Sequence, residues 1–471
     1  MSESFSLSSL NEAQRDAVST LDGPVLILAG AGTGKTRTVT CRIAHMLKKG
    51  IAPQNVLAVT FTNKSAVEMR ERVCAMVDKK AGKLLTVCTF HSLCVRILRE
   101  GIDKLGYKKN FTIYAGSDQV GLVKQLIVRK GGKDLNLDAM QVLSMISKNK
   151  NEGLAPDYHA DDLVAEIAKA YEAELRTLNA VDFDDLMVLA ERLLREHEDV
   201  RAVLQDKYRY ITVDEFQDTN GLQMKLLKQL VGKPFNICVV GDDDQSIYGW
   251  RGADVTNILQ FEKHYPNPKV ILLEVNYRSS AAVLHVANSL IKNNIGRREK
   301  ELKPHHPGGE KLRIISMPGD EEEAEFIAEE IMERHRVNKK PWEDFAVLFR
   351  TNQQSRNLEA AMRAFDIPYR VVGAQSFFDK KEVRDVMAYL QMFYNPLSDV
   401  PLLRILNAPP RGIGQGSILL ITEASREREM SVWEAMANEE VLAELSTKVK
   451  KSVIAFTDLV TETRHRLFDQ H

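Results

Sequence analysis

The chain has 471 residues, of which 44% are hydrophobic and 27% charged, the balance of a globular protein with room for about three domains at roughly 150 residues each. Lys and Arg total 64 against 65 Asp and Glu, a formal net charge of -1, which excludes a histone-like basic coat but not a basic groove on a neutral molecule. Cys41, Cys74, Cys88, Cys94 and Cys238 form no CxxC pair and have no zinc-spaced histidine, so they are read as reduced core thiols of a cytosolic protein.

The first residues, MSESFSLSSLNEAQRD, lack the charged and apolar regions of a signal peptide, and no run of eighteen apolar residues occurs. A soluble, cytoplasmic chain without a membrane partner is expected. Val25–Leu28, Val56–Phe61 and Leu85–Thr89 are short apolar runs that predict strands buried on both faces. Between them, Val39, Ile43, Met46 and Leu47 predict one helix face, and Val67, Val73 and Val77 a second. Such alternation predicts a parallel sheet flanked by helices. From about Ser117 to Glu196 the pattern is helical, and strands return at Tyr210–Val213, Ile237–Val240 and Val270–Leu273. A second alternation predicts strands at Leu312–Ser316, Phe345–Phe349 and Tyr369–Val372, with helices at Glu321–His335 and Gln354–Phe365. The acidic run within the first of these helices is read as a solvated face. After Gly373 the pattern is helical, broken at Ala408–Gly416 by a Pro/Gly cluster.

Three motifs carry chemistry. Ala29–Thr36, AGAGTGKT, follows VLIL and precedes an amphipathic helix. Gly30, Gly32 and Gly34, with Ala31 and Thr33 between them, let the backbone turn its N–H groups toward phosphate oxygens at a helix N-terminus. Lys35 would reach the β- and γ-phosphates of a nucleotide, and the Thr36 hydroxyl would ligate Mg²⁺. The strict pattern asks for Gly where Ala29 stands. Second, Tyr210–Val213 runs into Asp214 and Glu215, a metal ligand and a proton acceptor at a strand's carboxyl end. A plain helix cap is the competing reading. Third, VVGDDDQSIYGWRGAD places Gln245 beyond a strand end, followed by Tyr248, Trp250 and Arg251. Aromatics beside an arginine make a stacking platform for unpaired bases, unless the rings simply close the loop as core.

At this point the chain resembles the superfamily 1 DNA helicases of the UvrD/Rep/PcrA type, from Leu10 onward. The resemblance rests on ordered blocks: LNEAQRDAV, AGAGTGKT, AVTFTNKSAVEMRERV, TVCTFHSLCVRIL, DFDDL, VDEFQDTN, VVGDDDQSIYGWRGAD, LEVNYRSS and AVLFRTNQQSR. It implies an α/β fold with two RecA-like P-loop NTPase motor domains carrying helical insertions. The first motor domain would be 1–115 with 197–276, its insertion 116–196, the second motor domain 277–375 and its insertion 376–471. The family relaxes the first glycine, as at Ala29. It implies that Gln14 reads the adenine edge, that Tyr277 stacks on it, and that Lys35, Thr36 and Arg37 contact phosphates. Asp214 and Glu215 match the metal ligand and catalytic base, Gln245 the γ-phosphate sensor, and Arg278 an arginine finger from the second motor domain. Phe61, Thr62, Asn63 and His91 match strand-contacting blocks, and Tyr248, Trp250 and Arg251 the base-stacking cluster; a core or capping role is an equal reading for His91.

The implied activity is an ATP- and Mg²⁺-dependent 3′-to-5′ motor on single-stranded DNA and duplex junctions, working with repair or replication proteins. Neither polarity nor oligomeric state is written in the residues. The family's later blocks, a TIHxxKG-like loop and a second arginine finger, are absent before Arg464–His471. The expectation is therefore an incomplete second motor domain and a fragment that binds ATP and single strands more readily than it unwinds duplex. The alternatives are the motor subunit of a helicase–nuclease, a nucleotide-gated clamp on DNA without stimulated hydrolysis, and an RNA motor.

Overall fold

The computed structural model describes residues 6–131, 137–152, 162–372, 381–428 and 430–468. Gly373 through residue 380, where the second helical region was expected to begin, lie outside the described residues. The chain forms two compact units, Met1–Lys311 and Leu312–His471.

In the first unit the apolar runs become strands β1 (Val25–Ala29), β2 (Val56–Thr60) and β3 (Thr86–Thr89). Two-residue strands β4 (Thr112–Ile113) and β5 (Ala180–Val181) then pair with each other. β6 (Tyr210–Val213), β7 (Ile237–Gly241) and β8 (Lys269–Leu273) complete a six-stranded sheet in the order β3-β2-β6-β7-β1-β8. Every pairing in it is parallel; Ile27, for example, sits between Val240 and Ile271. The period-2 alternation of β1 divides the core: Leu26 and Leu28 face one apolar cluster, Val25, Ile27 and Ala29 the other. Helices cover both faces, so these strands read as continuous apolar runs. The helix Lys35–Lys48 buries Val39, Ile43 and Met46 as expected. The helix Asn63–Met76 instead buries Ala66, Met69 and Val73 and leaves Val67 53% exposed. Spacing of i, i+3 and i+7 selected the true stripe over the β-branched residues.

The helices Ser117–Gly131, Ala139–Glu152, Asp162–Thr177 and Phe183–Glu196 form the expected helical stretch. Lys150 fastens it, with its ammonium 2.9 Å from Asp182 and 2.7 Å from Asp185, the two carboxylates of the capping box that starts Phe183–Glu196. A second, small parallel ladder follows the main sheet: β9 (Val275–Ser280) pairs with β10 (Lys303–His306), joined through the helix Ala281–Ile291. No apolar alternation marks either strand. It belongs to the first compact unit, although residues from 277 onward were assigned to the second motor domain by the resemblance.

In the second unit the helices Asp320–Asn338 and Ser355–Ala364 pack through Ala324, Ala328, Ile331, Ala361 and Met362, with the acidic side chains outward as expected. The strands expected at Leu312–Ser316, Phe345–Phe349 and Tyr369–Val372 do not form; the segments carry no ladder among the described residues. Phe345 and Val347 rest half-buried against the helices, whereas Leu348 is 96% exposed. The pattern that specifies a strand is present, but strand structure also needs a hydrogen-bonded neighbour. The remaining helices, from Lys381–Tyr394 to Thr447–Phe468, enclose a core around Met392, Leu402, Val453 and Phe456.

Among the described residues all five cysteines are unpaired thiols, and all but Cys74 are buried. Burial pushes the Cys88 thiol up to about 11, which keeps it protonated at neutral pH. No helix among the described residues is long and apolar enough to cross a membrane.

Candidate functional site

A parallel sheet puts the carboxyl ends of all its strands on one edge. The segments after β1, β6 and β7 therefore emerge together, and β7 lies directly between the other two. β1 gives way at Gly30 to a tight loop in which the Thr33 hydroxyl donates to the Gly30 carbonyl at 2.8 Å. Gly32 has φ +70°, and a Cβ there would lie 2.5 Å from Asn276 Nδ2 and 2.7 Å from Arg278 Cβ. Only glycine meets both the left-handed backbone and the close approach. Gly34 caps the helix Lys35–Lys48 without any side-chain bond to its first turn. Among the described residues the first N–H groups thus have no capping side chain, the arrangement that receives an anion. Ala29 is the fully buried last residue of β1, paired with Leu273. The position is strand rather than turn, so a Cβ is tolerated there.

Across β7, Glu215 follows Asp214 with a left-handed φ of 51°. This uncommon conformation for a non-glycine residue sends the carboxylate to Lys35, at 2.8 Å, rather than back to cap the following 3₁₀ turn. The helix-cap reading of these acids is thereby set aside. Burial works against the Glu215 charge, but the Lys35 ammonium and the bonds from Gln217 and Lys35 outweigh it and hold its carboxyl below the usual range. Burial, reinforced by the Glu215 charge, pushes both Asp214 and Asp218 up to about 6. Among the described residues Asp214 Oδ1 is buried and has no hydrogen-bond partner. Such an orphaned carboxylate oxygen fits a cation ligand. Among the described residues no group of three or more His, Cys, Asp or Glu is placed to hold a metal by itself. A hard cation bound here would take few protein oxygens and complete its shell with phosphate and water, the habit of Mg²⁺.

Gln217, 1% exposed, ties the acidic loop to the segment after β7. Its amide nitrogen donates to Glu215 at 2.9 Å, and its amide oxygen accepts from the Asp242 backbone at 3.1 Å. Asp242 in turn accepts from Gln245 Nε2 at 2.5 Å. A chain of contacts therefore runs Lys35–Glu215–Gln217–Asp242–Gln245. On the other flank, Gln14 in the helix Glu12–Ser19 donates to the Thr33 carbonyl at 2.9 Å, and Asn11, which caps that helix, donates to the Tyr277 hydroxyl at 2.9 Å. The Tyr277 ring lies 4.7 Å from that of His305. β9 is bonded onto the phosphate loop, with Tyr277 N donating to Gly32 O at 2.9 Å and Asn276 Nδ2 to Ala31 O at 2.6 Å. Arg278 stands beside the loop within the same compact unit, and Arg37 donates to Ser9. Thr36 lies half-buried in the first turn of the helix Lys35–Lys48, one residue after Lys35.

Just beyond Gln245, Tyr248 stacks on Phe61 with centroids 5.1 Å apart and planes at 18°. The Arg251 guanidinium lies 4.5 Å from the Trp250 ring and 5.3 Å from that of Tyr248. Trp250 is 75% exposed, which disposes of the reading that it closes the loop as core. Thr62 caps the helix Asn63–Met76, so Phe61, Thr62 and Asn63 share one strand-to-helix turn. His91 pairs edge-on with Phe183 at 5.7 Å, and burial lowers its pKa despite Asp184 nearby. Sequence reasoning passed over Gln217 and Asn276. Gln217 and Asn276 lie inside the quoted blocks VDEFQDTN and LEVNYRSS, and a glutamine or asparagine flanking charged positions is the signal that could have found them.

The UvrD/REP helicase N-terminal domain matches residues 10–266, more than half of the chain, and the UvrD-like helicase C-terminal domain matches residues 271–456. The chain belongs to the UvrD/REP helicase family. It is 42% identical over 463 residues to proteins named ATP-dependent DNA helicase PcrA from Staphylococcus aureus, covering 96% of this chain and 63% of theirs. The PcrA of Staphylococcus epidermidis is likewise 42% identical over 460 residues. The chain thus spans 63% of the length of these relatives. Every block that carried the resemblance, from LNEAQRDAV to AVLFRTNQQSR, falls within the two matched UvrD/REP segments.

Proposed function

We propose that this UvrD/REP family chain hydrolyses ATP and uses the cycle to move 3′ to 5′ along single-stranded DNA, opening duplex at junctions in repair or replication. The observation that carries the reading is the contact chain from Lys35 through Glu215, Gln217 and Asp242 to Gln245, which ends three residues before the Tyr248–Arg251 platform. A nucleotide site and an exposed stacking surface are joined by hydrogen bonds, the physical requirement for one to bias the other.

Gln14 and Tyr277 receive the adenine, and the Ala29–Thr36 loop with Arg37 receives the phosphates. Lys35 is paired with Glu215, and a triphosphate competes for the ammonium and frees the carboxylate. Glu215, ionised at neutral pH, then accepts the proton of the water that attacks the γ-phosphorus as the bond to ADP breaks. Thr36 and Asp214 would hold Mg²⁺, which when bound neutralises charge on the β- and γ-oxygens. Gln245 exchanges its bond to Asp242 for the γ-phosphate, and Arg278 neutralises charge as it develops. Phe61, Thr62, Asn63, His91, Tyr248, Trp250 and Arg251 form the track for the strand. The division into two motor domains, each with a helical insertion, is part of this reading.

The test is ATP turnover by the chain with oligo(dT), with oligo(U) and alone. The expected result is about tenfold or greater stimulation by oligo(dT) over the unstimulated rate; base stacking alone does not distinguish the two sugars, so the oligo(U) arm decides between a DNA and an RNA motor. Equal or better stimulation by RNA would make it an RNA motor. ATP-dependent affinity for oligo(dT) without stimulated turnover would make it a clamp.

A further inference from the structure

The segment that follows β7 carries Asp242, Asp243 and Asp244 in a row, all withdrawn from solvent, and one ammonium serves all three. Lys300 Nζ lies 3.1 Å from Asp242, 2.5 Å from Asp243 and 2.8 Å from Asp244, with its side chain 6% exposed. Its neighbours reinforce the grip: Arg297 donates from Nε and Nη2 to the two Asp244 oxygens, each at 2.8 Å, and the Arg298 backbone N–H donates to Asp243 at 2.8 Å. Burial works against the Lys300 charge, but its bonds to Asp243 and Asp244 outweigh it and hold its pKa above the ordinary lysine value.

Neutralising buried carboxylates is a sufficient reason for a lysine here. What it holds, and from where, goes further. The Asp242 carboxylate that pairs with Lys300 is the one that holds the Gln245 amide. Lys300 also lies two residues before Leu302, whose Cδ2 sits 2.4 Å from where a Gly30 Cβ would be, and three before Lys303, which opens β10 against β9. β9 carries Tyr277 and Arg278. One side chain therefore fastens the γ-phosphate sensor segment to the ladder that lies on the phosphate loop.

We infer that Lys300 is a positioning residue that locks the Asp242–Gln245 segment to the β9–β10 ladder, and that through this lock the nucleotide state reaches the Tyr248–Arg251 platform. The inference rests on the ATPase reading above and is read by binding alone, so the two fail separately. Labelled oligo(dT) is titrated into the 471-residue chain with and without Mg²⁺ and a non-hydrolysable ATP analogue. In the unaltered chain the analogue shifts the oligo(dT) Kd by about tenfold. In Lys300→Met the shift falls to within about twofold, while affinity for a fluorescent ADP stays within about threefold, a loss of coupling without loss of the site. Lys300→Arg restores at least half of the coupling, measured as the logarithm of the shift. Because Lys300→Met leaves buried acids uncompensated, Asp243→Asn/Lys300→Met supplies a charge-balanced form, and it too remains uncoupled. Full coupling in either Met variant overturns the inference, as does a parallel loss of nucleotide affinity that Lys300→Arg does not rescue. An unaltered chain that binds both ligands without mutual effect also overturns it, while ATP turnover stands or falls on its own assay.

Discussion

Glu215→Gln is expected to abolish DNA-stimulated ATP turnover by about 10²–10⁴-fold, the usual contribution of a general base, while leaving nucleotide affinity nearly intact. The amide keeps the shape of the carboxylate and can still accept from Lys35, so the phosphate loop is not disturbed; what is lost is the ability to take a proton. Lys35→Ala is expected to behave differently. It removes a charge-assisted contact to the phosphates, about 1.5–3 kcal/mol or roughly 10–100-fold in nucleotide affinity, and it leaves Glu215 without the ammonium that holds its carboxyl below the usual range. Both binding and turnover therefore fall. The check is a fluorescent-nucleotide titration beside steady-state turnover for each variant. Equal loss of affinity in the two variants would argue that Glu215 serves only as the counter-ion of Lys35, and retained turnover in both would remove the site altogether.

Trp250→Ala is expected to weaken oligo(dT) binding by about 1–3 kcal/mol, the value of one base stacked on an aromatic side chain, or roughly 5–150-fold. Trp250 is three-quarters exposed, with Arg251 against its ring, so its removal opens no core cavity and the loss falls on the ligand. Phe61→Ala is expected to cost a similar amount by a different route, because Phe61 and Tyr248 stack on each other and removing one ring frees the other. Arg251→Met is expected to lower the salt dependence of binding by about one counter-ion as well as the affinity, since an arginine at a strand track meets phosphate as well as rings. Anisotropy titrations at several salt concentrations separate these effects. Unchanged affinity in Trp250→Ala and Phe61→Ala would place the strand elsewhere on the protein.

The main sheet was legible because its inner strands are buried on both faces and so appear as unbroken apolar runs such as VLIL and ICVV, flanked by helices with a clear period. The phosphate loop was legible because its chemistry restricts residue type at nearly every position. Other features were hidden for identifiable reasons. The β9–β10 ladder is built from VNYRSS and KPHH, exposed and polar, and its reason to exist is contact with the phosphate loop, which no local pattern records. In the second unit the alternating segments were read as strands, yet Phe345–Phe349 packs one side onto helices without a ladder neighbour, a requirement that periodicity cannot report. The helix Asn63–Met76 was placed correctly but turned, because three valines outweighed Ala66 and Met69. Lys300 escaped notice because GRREKE looks like a solvated charge run, and its partners are 56 to 58 positions earlier in the chain.

Directional movement is the part of this account most exposed to a single experiment. Oligo(dT) carrying biotin at its 5′ or its 3′ end is blocked with streptavidin and incubated with the 471-residue chain, Mg²⁺ and ATP. A motor moving 3′ to 5′ displaces streptavidin from the 5′ end and leaves the 3′ end blocked, and the displacement vanishes in Glu215→Gln. Displacement from the 3′ end would reverse the polarity proposed here, and displacement from neither end while ATP is being hydrolysed would show that hydrolysis is not coupled to movement along the strand.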